Sequence, residues 1–166
     1  MHLNEEVKMK YLKNGLENFS FQKKIYIASD HGGYKLKKKL IDYLKKKYSV
    51  EDLGPKALVP TDDYPDYAYP LARKVAKTKS LGILICRNGQ GVCITANKVK
   101  GIRAVTGFST KMVKSTRLDD NANVLCIPAD YVGLLKAKKM VNIFLKTKFS
   151  QASRHKRRLN KIKRLE

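Results

Sequence analysis

The sequence predicts an α/β fold of three Rossmann-like layers, a five-stranded parallel sheet with helices on both faces. Three observations carry this expectation. Short β-rich runs alternate with longer amphipathic segments, the order left by βαβ units joined through right-handed crossovers. The longer segments place apolar residues at three and four spacing, which gives a helix one buried face. The chain has 166 residues, enough for one core of ordinary size and not comfortably for two.

The first run is Lys24 to Ser29, followed by a helix over Tyr34 to Lys47. A second run, Tyr48 to Leu53, leads into Gly54 to Pro65, a loop carrying Pro55, Pro60, Asp62 and Asp63. A helix is expected over Tyr67 to Lys77, with Pro70 near its start, where a missing donor costs little. Leu81 to Cys86 is the third run and Gly91 to Asn97 its helix; Ile102 to Thr106 is the fourth, followed by Thr110 to Leu118. The fifth run, Asn123 to Ile127, precedes a helix over Val132 to Lys146, and a basic helix from Ser153 to Leu165 closes the chain. No repeat or linker marks a second domain, so residues 23–166 read as one domain behind an extension, residues 1–22.

That extension is charged throughout and lacks the apolar stretch and cleavage site of a signal peptide. Apolar runs such as Leu81 to Cys86 fall far short of a membrane span, so a soluble, cytoplasmic protein is expected, with no membrane partner. Cys86, Cys93 and Cys126 are an odd number without zinc-like spacing, which suits reduced thiols. The formal charge of +22 raises nucleic acid as a partner. Its distribution argues against it: lysines such as 35, 37–39, 45–47, 136, 138 and 139 read as solvated helix faces, and only Arg154 to Arg164 is a concentrated basic run.

In an open parallel sheet ligands collect beyond the carboxyl ends of the strands. That rule points to Asp30 and His31, to Cys86 through Gly91, and to the Asp119 to Asn123 region before the fifth run. Ser29-Asp30-His31-Gly32-Gly33 leaves a strand and enters a helix, where an anion, a phosphate or a sugar hydroxyl could be held. A helix cap beside an incidental histidine reads equally well. Cys86-Arg87-Asn88-Gly89-Gln90-Gly91 places a thiol at a strand end beside a glycine turn and a helix start, where a lowered pKa would make a base or nucleophile. Its amides could face a developing oxyanion, although a cysteine ending a buried strand also serves packing alone. No P-loop or dinucleotide fingerprint is present, which removes nucleotide hydrolysis and hydride transfer.

Together these clusters resemble the family that joins B-type ribose-5-phosphate isomerases to the galactose-6-phosphate isomerase subunits. The resemblance runs from Lys24 to Arg158. Its carriers are Ser29 to Gly33, Asp63-Tyr64-Pro65-Asp66-Tyr67-Ala68, Gly82 to Cys86 with the glycine turn, and Ala96-Asn97-Lys98. Gly101-Ile102-Arg103-Ala104, Asn121 to Leu125, and Arg154-His155 with Arg158 complete the series.

The resemblance implies an aldose-ketose isomerase that works through an enediolate without metal or cofactor, on ribose 5-phosphate and ribulose 5-phosphate. Cys86 would take the C2 proton and the amides from Asn88 through Gly89 and Gln90 to Gly91 would hold the oxyanion. Asp30 and His31 would contact the open-chain sugar, while Arg154 and Arg158, four residues apart on one helical face, would bind phosphate. A homodimer with a site shared across its interface is implied, and Val141, Ile143, Phe144 and Leu145 offer apolar surface for it or for the core.

The chain departs from the family in places. The usual C-G-T-G turn is Cys86-Arg87-Asn88-Gly89, which sets Arg87 where it can contact substrate or face solvent. The ring-opening histidine aligns with Asp119, the asparagine after it with Asp120, and a phosphate-binding arginine with Asp130. An ordinary aspartate accepts a proton at neutral pH but seldom donates one, so ring opening is expected to suffer unless Asp119 stays protonated or another group substitutes. A carboxylate there is also expected of one galactose-6-phosphate isomerase subunit type. The alternatives are therefore an isomerase of another sugar phosphate, such as a hexose 6-phosphate, or a non-catalytic sugar-phosphate-binding relative.

Overall fold

The computed structural model describes residues 24–166; the extension assigned to residues 1–22 lies outside them. Five strands form one parallel sheet: β1 (Ile25–Ser29), β2 (Val50–Asp52), β3 (Leu81–Cys86), β4 (Ala104–Thr106) and β5 (Val124–Pro128). They lie in the order β2-β1-β3-β5-β4. The helices are α1 (Tyr34–Leu44), α2 (Pro65–Thr78), α3 (Gln90–Ala96), α4 (Thr110–Asp120), α5 (Leu134–Lys146) and α6 (Ser153–Lys163).

Strand alternation sorts the core into two layers. Ile25, Ile27, Ile83, Ile85, Leu125 and Ile127 meet α1, α4 and α5 on one face. Tyr26, Ala28, Leu84, Cys86, Val124 and Cys126 meet α2 and α3 on the other. Val141 and Phe144 are fully buried in the first layer, with Ile143 and Leu145 packed against it. Core packing therefore accounts for the apolar face of α5.

The expected elements are all present, with shifted ends. The helix expected from Tyr67 starts at Pro65, whose fixed φ suits the first helical position, so Pro70 falls inside α2 and not near its start. Lys37 is not on a solvated face. It is fully buried, and its Nζ donates to Asp52 Oδ1 at 2.8 Å and to the Pro55 carbonyl at 2.6 Å, tying α1 to the loop after β2. Its position on the inner face of α1, beside Leu40 and Ile41, puts the long stem in the core while the ammonium reaches these acceptors.

The topology fixes where a ligand can enter. From β1 the chain crosses to β2 on one side, and from β2 it returns past β1 to β3 on the other. The order reverses between β1 and β3, and the crevice beyond their carboxyl ends is bounded by Asp30–Gly33 and Cys86–Gly91.

Candidate active site

The β1 and β3 exits touch because glycine lets them. A Cβ on Gly33 would collide with the Ile85 carbonyl, and one on Gly32 with the Arg87 side chain. The Asp30 amide donates to the Ile85 carbonyl at 3.3 Å. Asp30 itself is buried and its Oδ1 accepts the Gly33 amide at 3.0 Å, so it caps the approach to α1. Burial raises its pKa, an effect that the Gly33 hydrogen bond opposes.

His31 does not pair with Asp30. Its Nδ1 lies 2.7 Å from Asp62 Oδ1, and its backbone N–H donates to the same oxygen at 2.9 Å. Asp62 was legible only as an acidic loop residue; nothing in its local pattern marks a partner 31 positions away.

Cys86 ends β3 with its thiol 3.1 Å from the Gly89 N–H, which donates to Sγ. The amides of Val92 and Asn88 also face the sulfur and favour a thiolate, yet the thiol pKa is raised. The expectation of a lowered value is therefore corrected. Burial outweighs the amide dipoles, and the Asp30 carboxyl adds to the rise. The turn is held from both sides: Asn88 Oδ1 accepts the Gln90 amide at 3.0 Å, and Thr106 Oγ1 donates to the Gly89 carbonyl at 3.2 Å. Gly89 takes φ 74°, and Gly91 leaves room for the Tyr64 ring. Two of the expected oxyanion amides, those of Gly89 and Gln90, are thus engaged within the turn itself.

Arg87 and Asp130 meet at the rim of the crevice, Nη1 to Oδ2 at 3.7 Å, with the two side chains 67% and 49% exposed. The guanidinium at the small-residue position and the carboxylate at the arginine position thus answer each other. Screening leaves such an exposed pair little energetic worth, so its effect is on the local field. Cys93 and Cys126 face one another, and the hydrogen bond from Cys126 lowers the Cys93 pKa to about 7.

The Asp119 to Asn123 region does not lie at the carboxyl end of the sheet. Helix α4 runs back against the strands, and its last residues deliver the chain to the amino end of β5. Pro128 is the register partner of Cys86, and four strand steps of about 3.3 Å separate it from Val124, so Asp119 and Asp120 lie more than about 13 Å from the thiol. Here Asp119 Oδ1 is 3.6 Å from His155 Nδ1, and Arg154 Nε donates to His155 Nε2 at 3.0 Å. Arg158 follows one helical turn later, exposed like Arg154. The Asp120 carbonyl accepts from Arg103 Nε at 3.1 Å.

The residues expected at the site therefore fall into two groups at opposite edges of the sheet. Asp30, His31 and Cys86 to Gly91 occupy the carboxyl edge; Asp119, Asp120, Arg154 and Arg158 occupy the amino edge. Among the described residues no group of His, Cys, Asp and Glu has the arrangement of a metal site, and no helix is long and apolar enough to cross a membrane.

Comparison with known proteins gives this geometry a context. Residues 25–162 match the family described as Ribose/Galactose Isomerase. The protein named probable ribose-5-phosphate isomerase B of Mycoplasma genitalium is 49% identical over 145 residues, 86% of this chain and 95% of that one. D-erythrulose-4-phosphate isomerase 2 of Mycolicibacterium smegmatis is 39% identical over 143 residues, 84% of this chain and 94% of that one. The crystal structure of the Mycoplasma genitalium ribose-5-phosphate isomerase B, with bound ribulose 5-phosphate, superposes with a TM-score of 0.82 at 48% identity, covering 86% of this chain and 95% of that one.

Proposed function

Because the chain belongs to the ribose/galactose isomerase family and is a sugar-phosphate isomerase, we propose that it interconverts ribose 5-phosphate and ribulose 5-phosphate with Cys86 as the base. The observation that carries this reading is the thiol at the topological switch point, ringed by the amides of its own turn. A thiolate there takes the C2 proton of the open-chain aldose, and the electron pair moves through C1 to O1, giving an enediolate. The O2 proton passes to O1, the carbonyl forms at C2, and the thiol returns its proton to C1, which leaves the ketose with a hydroxyl on C1 and the thiolate regenerated.

The raised thiol pKa leaves Cys86 mostly protonated at neutral pH, so the active fraction grows as pH rises. The amino-edge residues complete the site from a second copy in a homodimer. Two-fold symmetry is the commonest way to bring opposite ends of one chain together, and it makes two equal sites. Arg154 and Arg158 then clamp the phosphate dianion and Asp119 faces the sugar ring oxygen.

The test is conversion of ribose 5-phosphate to ribulose 5-phosphate by the purified protein beside Cys86→Ala. Activity that disappears with the thiol supports the assignment; activity that survives overturns it.

Asp119 favours a second reading. A four-carbon sugar esterified at O4 cannot close a furanose ring, so its isomerisation needs no ring-opening acid. The relative named for D-erythrulose 4-phosphate makes that substrate class the comparison to run. Turnover of the tetrose phosphate well above that of ribose 5-phosphate would select it.

A further inference from the structure

We propose that Asp62 is a positioning residue, holding His31 as a hydrogen-bond donor so that its imidazolium faces the anionic group of the substrate. The inference rests on the sugar-phosphate reading and adds a residue which that reading does not use.

A carboxylate oxygen can only accept. Asp62 Oδ1 receives the His31 backbone N–H at 2.9 Å and lies 2.7 Å from Nδ1, so the ring proton sits on Nδ1 and the ring is tied to the same oxygen as its own backbone. The Asp62 side chain is 5% exposed against 30% for His31. The carboxylate is therefore the rigid base of the pair and the imidazole its open end. Asp62 Oδ2 is buried, with the Tyr67 hydroxyl beside the carboxylate and no closer hydrogen-bond partner among the described residues.

Of the two described histidines, His155 has its Nε2 occupied by Arg154, whereas His31, whose segment bounds the crevice, is 30% exposed and its Nε2 has no partner among the described residues.

The charged groups around the ring agree. Asp30 lies on the β1 side and Asp62 on the loop before α2, with the Tyr67 hydroxyl beside Asp62. Arg87 lies behind Gly32 on the β3 turn, its guanidinium drawn to Asp130. Two carboxylates act on His31 while the guanidinium is partly neutralised. The His31 pKa is accordingly raised, chiefly by the Asp62 hydrogen bond. A raised pKa means that the charge present below the ordinary histidine range persists further up the pH scale.

The experiment is Asp62→Asn, whose side-chain oxygen can still accept from His31 while the charge is lost. His31 is titrated by NMR in the free protein, the affinity for inorganic phosphate is measured, and KM and kcat are followed with ribose 5-phosphate. We expect the His31 inflection to move to lower pH, and KM at about pH 7.5 to rise about tenfold with kcat within about twofold. The KM gap should close near pH 5.5, where an ordinary histidine is charged without help. Asp62→Glu should keep most of the wild-type inflection.

An unchanged inflection, or a KM gap equal at both pH values, overturns the proposal. If ribose 5-phosphate is not turned over, the NMR shift and the phosphate affinity still decide the role of Asp62, so its failure is separable from failure of the substrate reading.

Discussion

Asp119 Oδ1 lies 3.6 Å from His155 Nδ1, so the carboxylate that the resemblance sets at the ring-opening position stands beside an imidazole. Because Arg154 Nε can only donate, His155 Nε2 accepts and its proton sits on Nδ1, shared toward Ser150 Oγ at 2.9 Å and toward Asp119. The cluster forms because Ser150 N–H donates to the Leu118 carbonyl at 3.1 Å, which lays the connection to α6 beside the end of α4.

Asp119→His should restore a group able to donate a proton near neutral pH. On ribose 5-phosphate, which is mostly cyclic, kcat/KM should rise at least about tenfold, within the range that general acids supply. A tetrose 4-phosphate should show no such gain. Steady-state rates on the two substrates check this, and equal effects on both would remove the ring-opening explanation.

The acid limb of the rate profile should lie on the alkaline side, since burial holds the Cys86 thiol above its ordinary value and thiolate appears only as pH rises through it. Asp30→Asn removes a charge that raises that pKa while keeping an acceptor for the Gly33 amide, so the limb should move to lower pH. Thiolate absorbance against pH, in the Cys93→Ser background, reads the shift directly.

Gly89→Ala should cost about 1–2 kcal/mol, because φ 74° strains an L-residue and the new Cβ would stand 3.0 Å from Thr106 Cγ2 and 3.1 Å from the Pro128 nitrogen. Urea denaturation measures the loss. Activity should fall further than stability does, since the Gly89 amide would leave Sγ.

Lys37→Met should destabilise by about 3 kcal/mol, because Asp52 Oδ1 and the Pro55 carbonyl lose a buried charged donor. A urea midpoint unchanged from wild type would show that the buried ammonium is dispensable.

Much of this molecule could be read from its residues. Strand runs such as Leu81–Cys86 are locally encoded by apolar side chains, and the glycine turn after Cys86 is encoded by composition. Three features were not. Lys37 resembles its surface neighbours in sequence and differs only in helix phase. The Cys86 pKa depends on a balance between burial and amide dipoles that no motif displays. Asp62 meets His31 through tertiary folding, as does Asp119 with His155. Placing Asp119 near the carboxyl end of the sheet overlooked that a crossover helix ends at the amino end of the next strand.

The central claim is that the Cys86 half-site of one copy works with the Arg154 and Arg158 half-site of another. The most direct test makes two inactive proteins, Cys86→Ala and the double variant Arg154→Ala with Arg158→Ala. The differently tagged chains are refolded together, and the mixed dimer is isolated. Each mixed dimer should carry one intact site and one doubly damaged one, giving about half the wild-type activity per dimer. A mixed dimer as inactive as its parents would contradict the shared site and place the whole reaction within a single chain.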